Sequence, residues 1–153
     1  MKNSQAVVVF RMGEERYGLS LALVTRVVRA VEVSRLPNAP SIVIGVIDLQ
    51  GEVIPVLSIR RRLQNPDRPV CINDQFIIAK VGGRVAALVV EEVCGVYERG
   101  DSASTDCTAV ASAPAYIEGV TRFDDGLVFI QNPEKFLSMG EMHALEQAMD
   151  QAP

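Results

Sequence analysis

The chain has 153 residues, 48% of them hydrophobic, and a formal net charge of −4. This length fits one domain of ordinary size or two fused small subdomains, and the apolar fraction suffices for a core without disulfides. Apolar runs reach only about six residues, whereas a membrane helix needs about 20, which excludes direct membrane insertion. Arg11 interrupts the first apolar run before it could form a secretory segment, and we therefore expect a cytoplasmic protein.

Charge is distributed unequally along the chain. Residues 1–76 contain ten Lys or Arg and seven Asp or Glu, whereas residues 77–153 contain five and twelve, so the halves carry +3 and −7. An acidic chain does not attract nucleic acid through its phosphates, and the absence of Trp leaves few side chains for stacking on bases. Opposite charges on the two halves instead favour head-to-tail contact with a partner of similar fold.

The first third of the chain predicts three β-strands. Ala6–Met12 and Arg16–Ser20 flank the turn formed by Gly13, Glu14 and Glu15. Leu21–Val24 fits one helical turn, and the β-branched segment Arg26–Val31 favours the third strand.

Residues 40–57 contain two apolar runs on either side of a polar connection. This pattern predicts a β-hairpin with strands Val46–Leu49 and Val53–Leu57. Pro55 has no backbone N–H, so its strand should lie at a sheet edge or break its ladder there. The positions that we assign to structural turns are Gly45, Gly51, Pro55, Gly119 and Gly126.

The second half of the chain repeats the β pattern. Its strands are expected at Phe76–Val81, at Val85–Val90, in the segment with Val93 and Val96, at Glu118–Arg122 and at Leu127–Ile130. The prediction is therefore ten strands in two sets of five. The polar segment Gly100–Ala113 is a loop long enough to be mobile or functional.

Two helices are predicted. Ile59–Leu63 has apolar ends at helical spacing, and its three arginines, Arg60, Arg61 and Arg62, form either a solvated basic turn or a docking patch for an acidic partner. The last helix, residues 138–151, begins near Ser138, which forms a capping box with Glu141. Its apolar stripe either packs on the domain or forms a groove for a partner; the stripe consists of Met142, Leu145 and Met149.

The chain contains an internal repeat. The Pro, Gly and Val of Pro40–Val46 recur in Pro114–Val120 at an offset of 74, and Gly13–Leu21 aligns with Gly82–Val90 at an offset of 69. We therefore expect one domain over residues 1–153, built from pseudo-repeat subdomains at about 6–70 and 75–137 that can exchange strands, followed by the final helix.

Residues for catalysis or metal binding are scarce. The single histidine, His143, lies in the final helix and is expected at the surface. Cys71, Cys94 and Cys107 are odd in number and lack Cys-x-x-Cys spacing, so we expect structural thiols rather than disulfides. The sequence also contains no metal-spaced cluster and no phosphate-binding glycine loop before a helix. We predict a protein that is not an enzyme and needs no cofactor.

In the strands and connections described above, the sequence resembles the CheW family of chemotaxis coupling proteins. The similarity covers roughly residues 6–137, and four motifs in order carry it. They are Val8-x-Phe10 before Gly13-Glu14-Glu15-x-Tyr17-Gly18; Arg35-Leu36-Pro37-Asn38-Ala39-Pro40; Gly45-Val46-Ile47-x-Leu49-x-Gly51-x-Val53-Ile54-Pro55-Val56; and Tyr116-Ile117-x-Gly119-Val120.

The resemblance implies an all-β fold of two interlocked five-stranded SH3-like barrels with a C-terminal helix. It also implies an adaptor that joins the cytoplasmic tip of a chemoreceptor to the regulatory domain of a CheA-type histidine kinase. That domain is itself CheW-like, so rings that alternate the two are implied as well. The receptor-binding positions that match the family are Val24, Arg26, Val27, Gln50 and Ile54.

Two positions depart from the family pattern. The family usually has Asn-Leu-Arg-Gly at the central turn, where this chain has Asp48-Leu49-Gln50-Gly51, and Arg26 stands where an acidic residue is common. These changes favour a role in a specialised array, such as one that controls pili, surface behaviour or a cyclase.

Two alternative functions remain open on the sequence. A small β-barrel could bind nucleic acid through Arg60, Arg61 and Arg62. A CheW-like decoy would bind the kinase without the receptor, and the altered Gln50 is the motive for that alternative.

Overall fold

The computed structural model describes residues 6–63, 66–98, 104–106 and 116–151. Within these ranges the chain forms strands, two α-helices and two short 3₁₀ helices. The strands are Ala6–Met12 (β1), Glu15–Ser20 (β2), Val24–Arg29 (β3), Val43–Leu49 (β4), Glu52–Ser58 (β5), Gln75–Val81 (β6), Arg84–Val90 (β7), Glu92–Glu98 (β8), Ser104–Asp106 (β9), Ile117–Phe123 (β10) and Gly126–Gln131 (β11). The helices are Ile59–Arg62 (α1), Met139–Gln151 (α2) and the 3₁₀ turns Leu21–Leu23 and Pro133–Lys135.

The predicted fold class, mainly β with a C-terminal helix, is confirmed. All ten predicted strands are present, and the one that the sequence missed is β9. This short strand lies in the polar segment Gly100–Ala113, which lacks the alternation of apolar residues that marks a half-buried strand. The rest of that segment, with Cys107, lies outside the described residues.

The strands form two sheets. The six-stranded sheet has the order β8-β1-β2-β11-β10-β9, and the five-stranded sheet has the order β3-β6-β7-β5-β4. Each contains one parallel pair, β2 with β11 and β5 with β7. Within the described ranges the outermost strands of a sheet do not pair with each other, so each sheet is open where a complete barrel would be closed.

The two sheets share one strand order when the internal repeat is applied. If β1 to β5 correspond to β6, β7, β8, β10 and β11, the order β8-β1-β2-β11-β10 becomes β3-β6-β7-β5-β4. Each sheet therefore contains the first hairpin of the opposite repeat. Register shifts next to Gly45 in β4 and Gly119 in β10 occur at the same place, 74 residues apart. These correspondences support the proposed division into exchanged pseudo-repeats.

The main core lies between the two sheets. Alternation along each strand sends every second side chain to this layer and the others to the opposite face. From β1, Phe10 and Met12 enter the main core, whereas Val7 and Val9 enter a smaller cluster with β11. The opposite face of the five-stranded sheet has its own cluster, which contains Ile47, Ile54, Val56, Phe76, Ile78 and Ala87.

Helix α2 begins as the sequence predicts. Ser138 Oγ accepts a hydrogen bond from the Glu141 backbone N–H at 3.1 Å, and Glu141 Oε1 accepts one from the Ser138 N–H at 2.8 Å, which is a complete capping box. Leu145 is buried in the main core, and Met142 and Met149 pack against it. The apolar stripe is therefore covered by the domain itself. No helix in the described ranges is long and apolar enough to cross a membrane.

Gly45 lies inside β4 and not in a turn. The connection after β3 crosses it there, because the Ser34 N–H donates to the Val46 carbonyl at 2.8 Å and the Val46 N–H donates to the Ser34 carbonyl at 2.7 Å. A Cβ atom on Gly45 would overlap the Ser34 carbonyl oxygen and lie 2.8 Å from Val33 Cγ1. The position needs glycine because two backbone segments meet there.

Three other expected turn residues also lie in strands. Gly119 is inside β10, and Gly126 is the first residue of β11. Pro55 lies in β5, and the ladder between β5 and β7 covers only Val56–Ser58, so at Pro55 the strand pairs with β4 alone. A residue without an N–H fits this break in the ladder. Only Gly51 lies in a turn.

Candidate partner-binding surfaces

The predicted receptor-binding residues lie on β3 and on the turn between β4 and β5, at opposite edges of the five-stranded sheet. The sheet curls so that Arg26 reaches the turn, where its Nη2 donates a hydrogen bond to Gln50 Oε1 at 3.3 Å. Both side chains are exposed. Val24 and Val27 are half-buried on the same strand and pack against the main core. We call Val24, Arg26, Val27 and Gln50 the β3–turn surface.

The turn that carries Gln50 has a defined conformation. Gln50 and Gly51 form a two-residue loop with φ values of 55° and 89°, which is the pattern of a type I′ hairpin. The Gly51 N–H donates to Asp48 Oδ1 at 2.9 Å, so the aspartate that replaces the family's usual asparagine still holds the loop. The turn therefore presents Gln50 to Arg26 from a rigid base.

Ile54 does not belong to a partner-binding surface. Its side chain is 2% exposed and packs in the apolar cluster of the five-stranded sheet. Successive residues of a strand face opposite sides, so β5 exposes Val53 instead, at 52%. Val53 and Ile54 are both apolar and β-branched, so the sequence alone gave no signal of which one is buried.

The six-stranded sheet has a contact that corresponds to the one between Arg26 and Gln50. There the edge strand β8 reaches the turn between β10 and β11 through Tyr97, whose hydroxyl donates to Asp125 Oδ2 at 2.9 Å. Arg16 donates two hydrogen bonds of 2.9 Å to the same carboxylate, and its guanidinium lies 5.7 Å from the centre of the Tyr97 ring. The hydrogen bonds from Arg16 and Tyr97 lower the pKa of Asp125. We call the group of Tyr97, Arg16 and Asp125 the closed cluster.

The three arginines of α1 are held by ion pairs within the chain. Arg60 pairs with Glu91, Arg61 with Asp67 at 3.0 Å, and Arg62 with Glu141 at 2.8 Å. Arg61 is exposed, but each of the three charges has a carboxylate partner, so they do not form a patch of free positive charge.

The Glu91 side chain connects two segments that are far apart in the chain, the turn after β1 and helix α1. Its carboxylate is 14% exposed and pairs with Arg60 and, at 2.8 Å, with Arg11. The Gly13 N–H donates to the same carboxylate at 3.1 Å. One side chain thus fixes the turn after β1 and the helix after β5.

An apolar groove lies at the other end of the five-stranded sheet. Its volume is about 700 Å³, and it lies between the connection after β3 and residues 69–72. Ile72 is 86% exposed at its rim, and Val31 is 46% exposed. The remaining apolar lining residues are Ala30, Val33, Ile44, Pro69 and Val70. Glu32 and Arg35 also line this groove, which is a candidate interaction surface.

Asp74 holds the loop that forms one wall of the groove. Arg68 donates two hydrogen bonds to the carboxylate, at 2.8 and 2.9 Å, and the Cys71 N–H donates a third at 2.8 Å. Burial raises the pKa of Asp74, but these hydrogen bonds and the charge of Arg68 outweigh it, so the pKa lies below its usual value.

We expect Asp74→Asn to lower the free energy of unfolding by about 2 kcal/mol at neutral pH, because Arg68 loses its charged partner. A carboxylate whose pKa is depressed on folding stabilises the protein above its unfolded-state pKa, about 4, and loses this contribution as the pH falls through the folded-state value. Urea unfolding of both proteins between about pH 7 and pH 3 should show the difference shrinking. A difference independent of pH would contradict the assignment.

The described residues contain no group of three or more side chains that could hold a metal ion. Cys71 and Cys94 are free thiols at the surface, and His143 is exposed as predicted.

Comparison with known proteins agrees with the fold. The chain is 26% identical to the chemotaxis protein CheW of Klebsiella aerogenes over 90% of this chain and 84% of that protein. It is 25% identical to the chemotaxis protein CheW of Treponema pallidum over 91% and 85%. The crystal structure of the scaffolding protein TtCheW from Thermoanaerobacter tengcongensis matches with a TM-score of 0.81 at 27% identity, over 90% of this chain and 95% of that one. The family model of the CheW-like domain matches residues 6–141, and the chain therefore belongs to the CheW-like domain family.

Proposed function

We propose that this protein is a non-catalytic adaptor of a chemosensory array, in which it couples chemoreceptors to a CheA-type histidine kinase. Family membership supports the role of a chemotaxis coupling scaffold. The observation that carries the proposal is the presence of two separate surfaces on the five-stranded sheet. An adaptor needs two such surfaces, because it must hold both partners at once.

The two surfaces lie at opposite ends of β4. Gln50 follows the strand, whereas Ile44, which lines the apolar groove, lies at its beginning. Six residues of extended strand span about 20 Å. Partners of ordinary size can therefore occupy both surfaces without competing for the same residues.

We assign the β3–turn surface to the receptor tip and the apolar groove to the regulatory domain of the kinase. Exposed polar and half-buried apolar side chains on β3 suit a helix bundle that binds and releases. The groove suits a more apolar contact, since Ile72 and Val31 leave large apolar side chains in water.

Reconstitution with separable variants tests this assignment. Receptor-containing membranes and a CheA-type kinase are mixed with the protein, and kinase activity and co-sedimentation are both measured. We expect receptor control of the kinase only when the protein is present. Ile72→Glu should lose the kinase and retain the receptor, and its fold should survive because the side chain is 86% exposed. Glu146→Ala, on the exposed face of α2, serves as the control and should behave as the wild type.

Two results would contradict the proposal. Equal receptor control with and without the protein would remove the coupling role. Recruitment to the kinase with no recruitment to any receptor would favour the decoy instead. Binding of nucleic acid is disfavoured because Arg60, Arg61 and Arg62 each pair with a carboxylate of this chain.

The charge of the folded units supports head-to-tail contact with CheW-like domains. Residues 24–90, which form the five-stranded sheet and its connections, contain nine Lys or Arg and five Asp or Glu. The remaining residues contain six and fourteen, so the net charges are +4 and −8. Such polarity suits alternation with the kinase regulatory domain in a ring. We place the protein in the cytoplasm, at receptor arrays on the inner face of the membrane.

The changes at Arg26 and Gln50 support a specialised pathway, in which the output is pili, surface behaviour or a cyclase. Pull-down with several receptor classes checks this extension. Equal binding to receptors of ordinary swimming behaviour would remove its basis.

A further inference from the structure

In each sheet, side chains join an edge strand to a hairpin turn, and the two sheets do this differently at corresponding places. In the six-stranded sheet, the closed cluster satisfies the turn carboxylate of Asp125 with Arg16 and Tyr97. In the five-stranded sheet, the corresponding edge strand and turn are joined by the hydrogen bond from Arg26 to the neutral Gln50. The positive charge of Arg26 therefore has no negatively charged partner in this contact.

The internal repeat lets the charged residues of the two sheets be compared at corresponding positions. At the offset of 69, Arg16 in β2 corresponds to Val85 in β7, and Arg26 in β3 corresponds to Gly95 in β8. At the offset of 74, Asp125 corresponds to Gly51. At these positions the five-stranded sheet therefore has neither the cation of Arg16 nor the carboxylate of Asp125, and it carries a cation, Arg26, on its exposed edge strand instead.

Arg26 also differs from the arginines that stabilise the fold. Among the described residues it has no carboxylate oxygen within 4 Å, and neither has Arg29 on the same strand. Six other arginines each pair with at least one carboxylate: Arg11, Arg16, Arg60, Arg61, Arg62 and Arg68. A planar guanidinium donates two parallel hydrogen bonds best to a carboxylate, and the amide of Gln50 supplies one oxygen.

From these observations we infer that Arg26 is a specificity residue that takes a carboxylate from the partner, so that this protein selects receptor tips with an Asp or Glu facing β3. The inference rests on the proposed receptor role of the β3–turn surface. The net charge of +4 on residues 24–90 adds attraction for an acidic partner at longer range. Gln50 orients the guanidinium without neutralising it.

Charge reversal at two matched positions tests the inference. The probe is a soluble helical-hairpin fragment of a chemoreceptor cytoplasmic tip, and its affinity is measured by titration at low and physiological salt. We expect Arg26→Glu to weaken binding by at least about tenfold, because it places like charges opposite each other. Arg122→Glu makes the same change of charge on exposed β10 of the other sheet and should stay within about twofold of the wild type.

A compensating change on the probe identifies the partner carboxylate. Replacing the relevant Asp or Glu of the fragment by Arg should weaken binding to the wild type and restore binding to Arg26→Glu. Circular dichroism and thermal unfolding confirm that both variants fold, as expected for two exposed side chains.

The other outcomes separate this inference from the function on which it rests. If the wild type binds the fragment and Arg26→Glu binds it equally, the specificity role is wrong and the receptor surface stands. If Arg26→Glu and Arg122→Glu weaken binding equally, the effect is one of long-range charge, and Arg26 is not a specificity residue. If the wild type binds no receptor fragment, the proposed function itself fails. If Arg26→Glu abolishes self-association in sedimentation analysis instead, the acidic partner is a second copy, and the inference is overturned.

Discussion

Gly45→Ala is expected to lower the free energy of unfolding by about 4 kcal/mol, which is a large fraction of the roughly 5–15 kcal/mol available to a domain. The new methyl group would overlap the Ser34 carbonyl oxygen and crowd Val33. Relief requires the connection to move away, which breaks the two hydrogen bonds between Ser34 and Val46. Overpacking and the two lost backbone bonds together account for the magnitude.

Chemical denaturation of Gly45→Ala measures this effect, and Gly140→Ala is the matched control. Gly140 lies in α2, where an added Cβ would meet only Ser138 Oγ at 4.0 Å. Alanine there should be neutral or stabilise the helix by up to about 1 kcal/mol. An equal response of the two variants would show that the backbone approach at Gly45 is unimportant. Since Val33 lines the apolar groove, any Gly45→Ala protein that folds should also bind the kinase less well.

Glu91→Ala is expected to lower the free energy of unfolding by about 3 kcal/mol. The substitution leaves Arg60 and Arg11 without their shared carboxylate and removes the acceptor of the Gly13 N–H. Removal of one partner from a largely buried ion pair costs more than the pair contributes, because the remaining charge stays out of water.

The neighbouring Glu92→Ala provides the control for Glu91→Ala in the same urea titration. Glu92 is 60% exposed and pairs with Arg11 at 3.2 Å, so its loss should cost no more than about 1 kcal/mol. A similar cost for both substitutions would mean that burial of Glu91 adds nothing.

The sequence predicted the strands and the final helix because their signals are local. Short runs of apolar, mostly β-branched residues mark β1 and β5 to β7, and the capping box at Ser138 and Glu141 marks the start of α2. The same local signals could not show that Gly45 serves a close approach of the chain, since Ser34 lies eleven residues away. They also could not show the ion pairs of α1, in which Arg60 finds its partner in the second repeat and Arg62 finds its partner in α2.

The resemblance predicts receptor-binding residues on β3 and the central turn, and the structure brings two of them, Arg26 and Gln50, into contact. It failed at Ile54, because a motif position says nothing about which face of a strand is buried. Val27, another of the predicted receptor-binding residues, is half-buried. It packs against the main core, so Val27→Glu would test stability as much as binding, whereas Arg26 can be changed at the surface.

Each sheet combines strands from distant parts of the chain, and this topology affects how the protein folds during translation. The five-stranded sheet can close once β7 has emerged, at Val90, since all of its strands come from residues 24–90. Strands β1 and β2 are synthesised before their neighbours β8 and β11, and β11 ends only at Gln131. The hairpin of β1 and β2 therefore keeps unpaired strand edges until β11 has emerged, and such edges expose a nascent chain to aggregation.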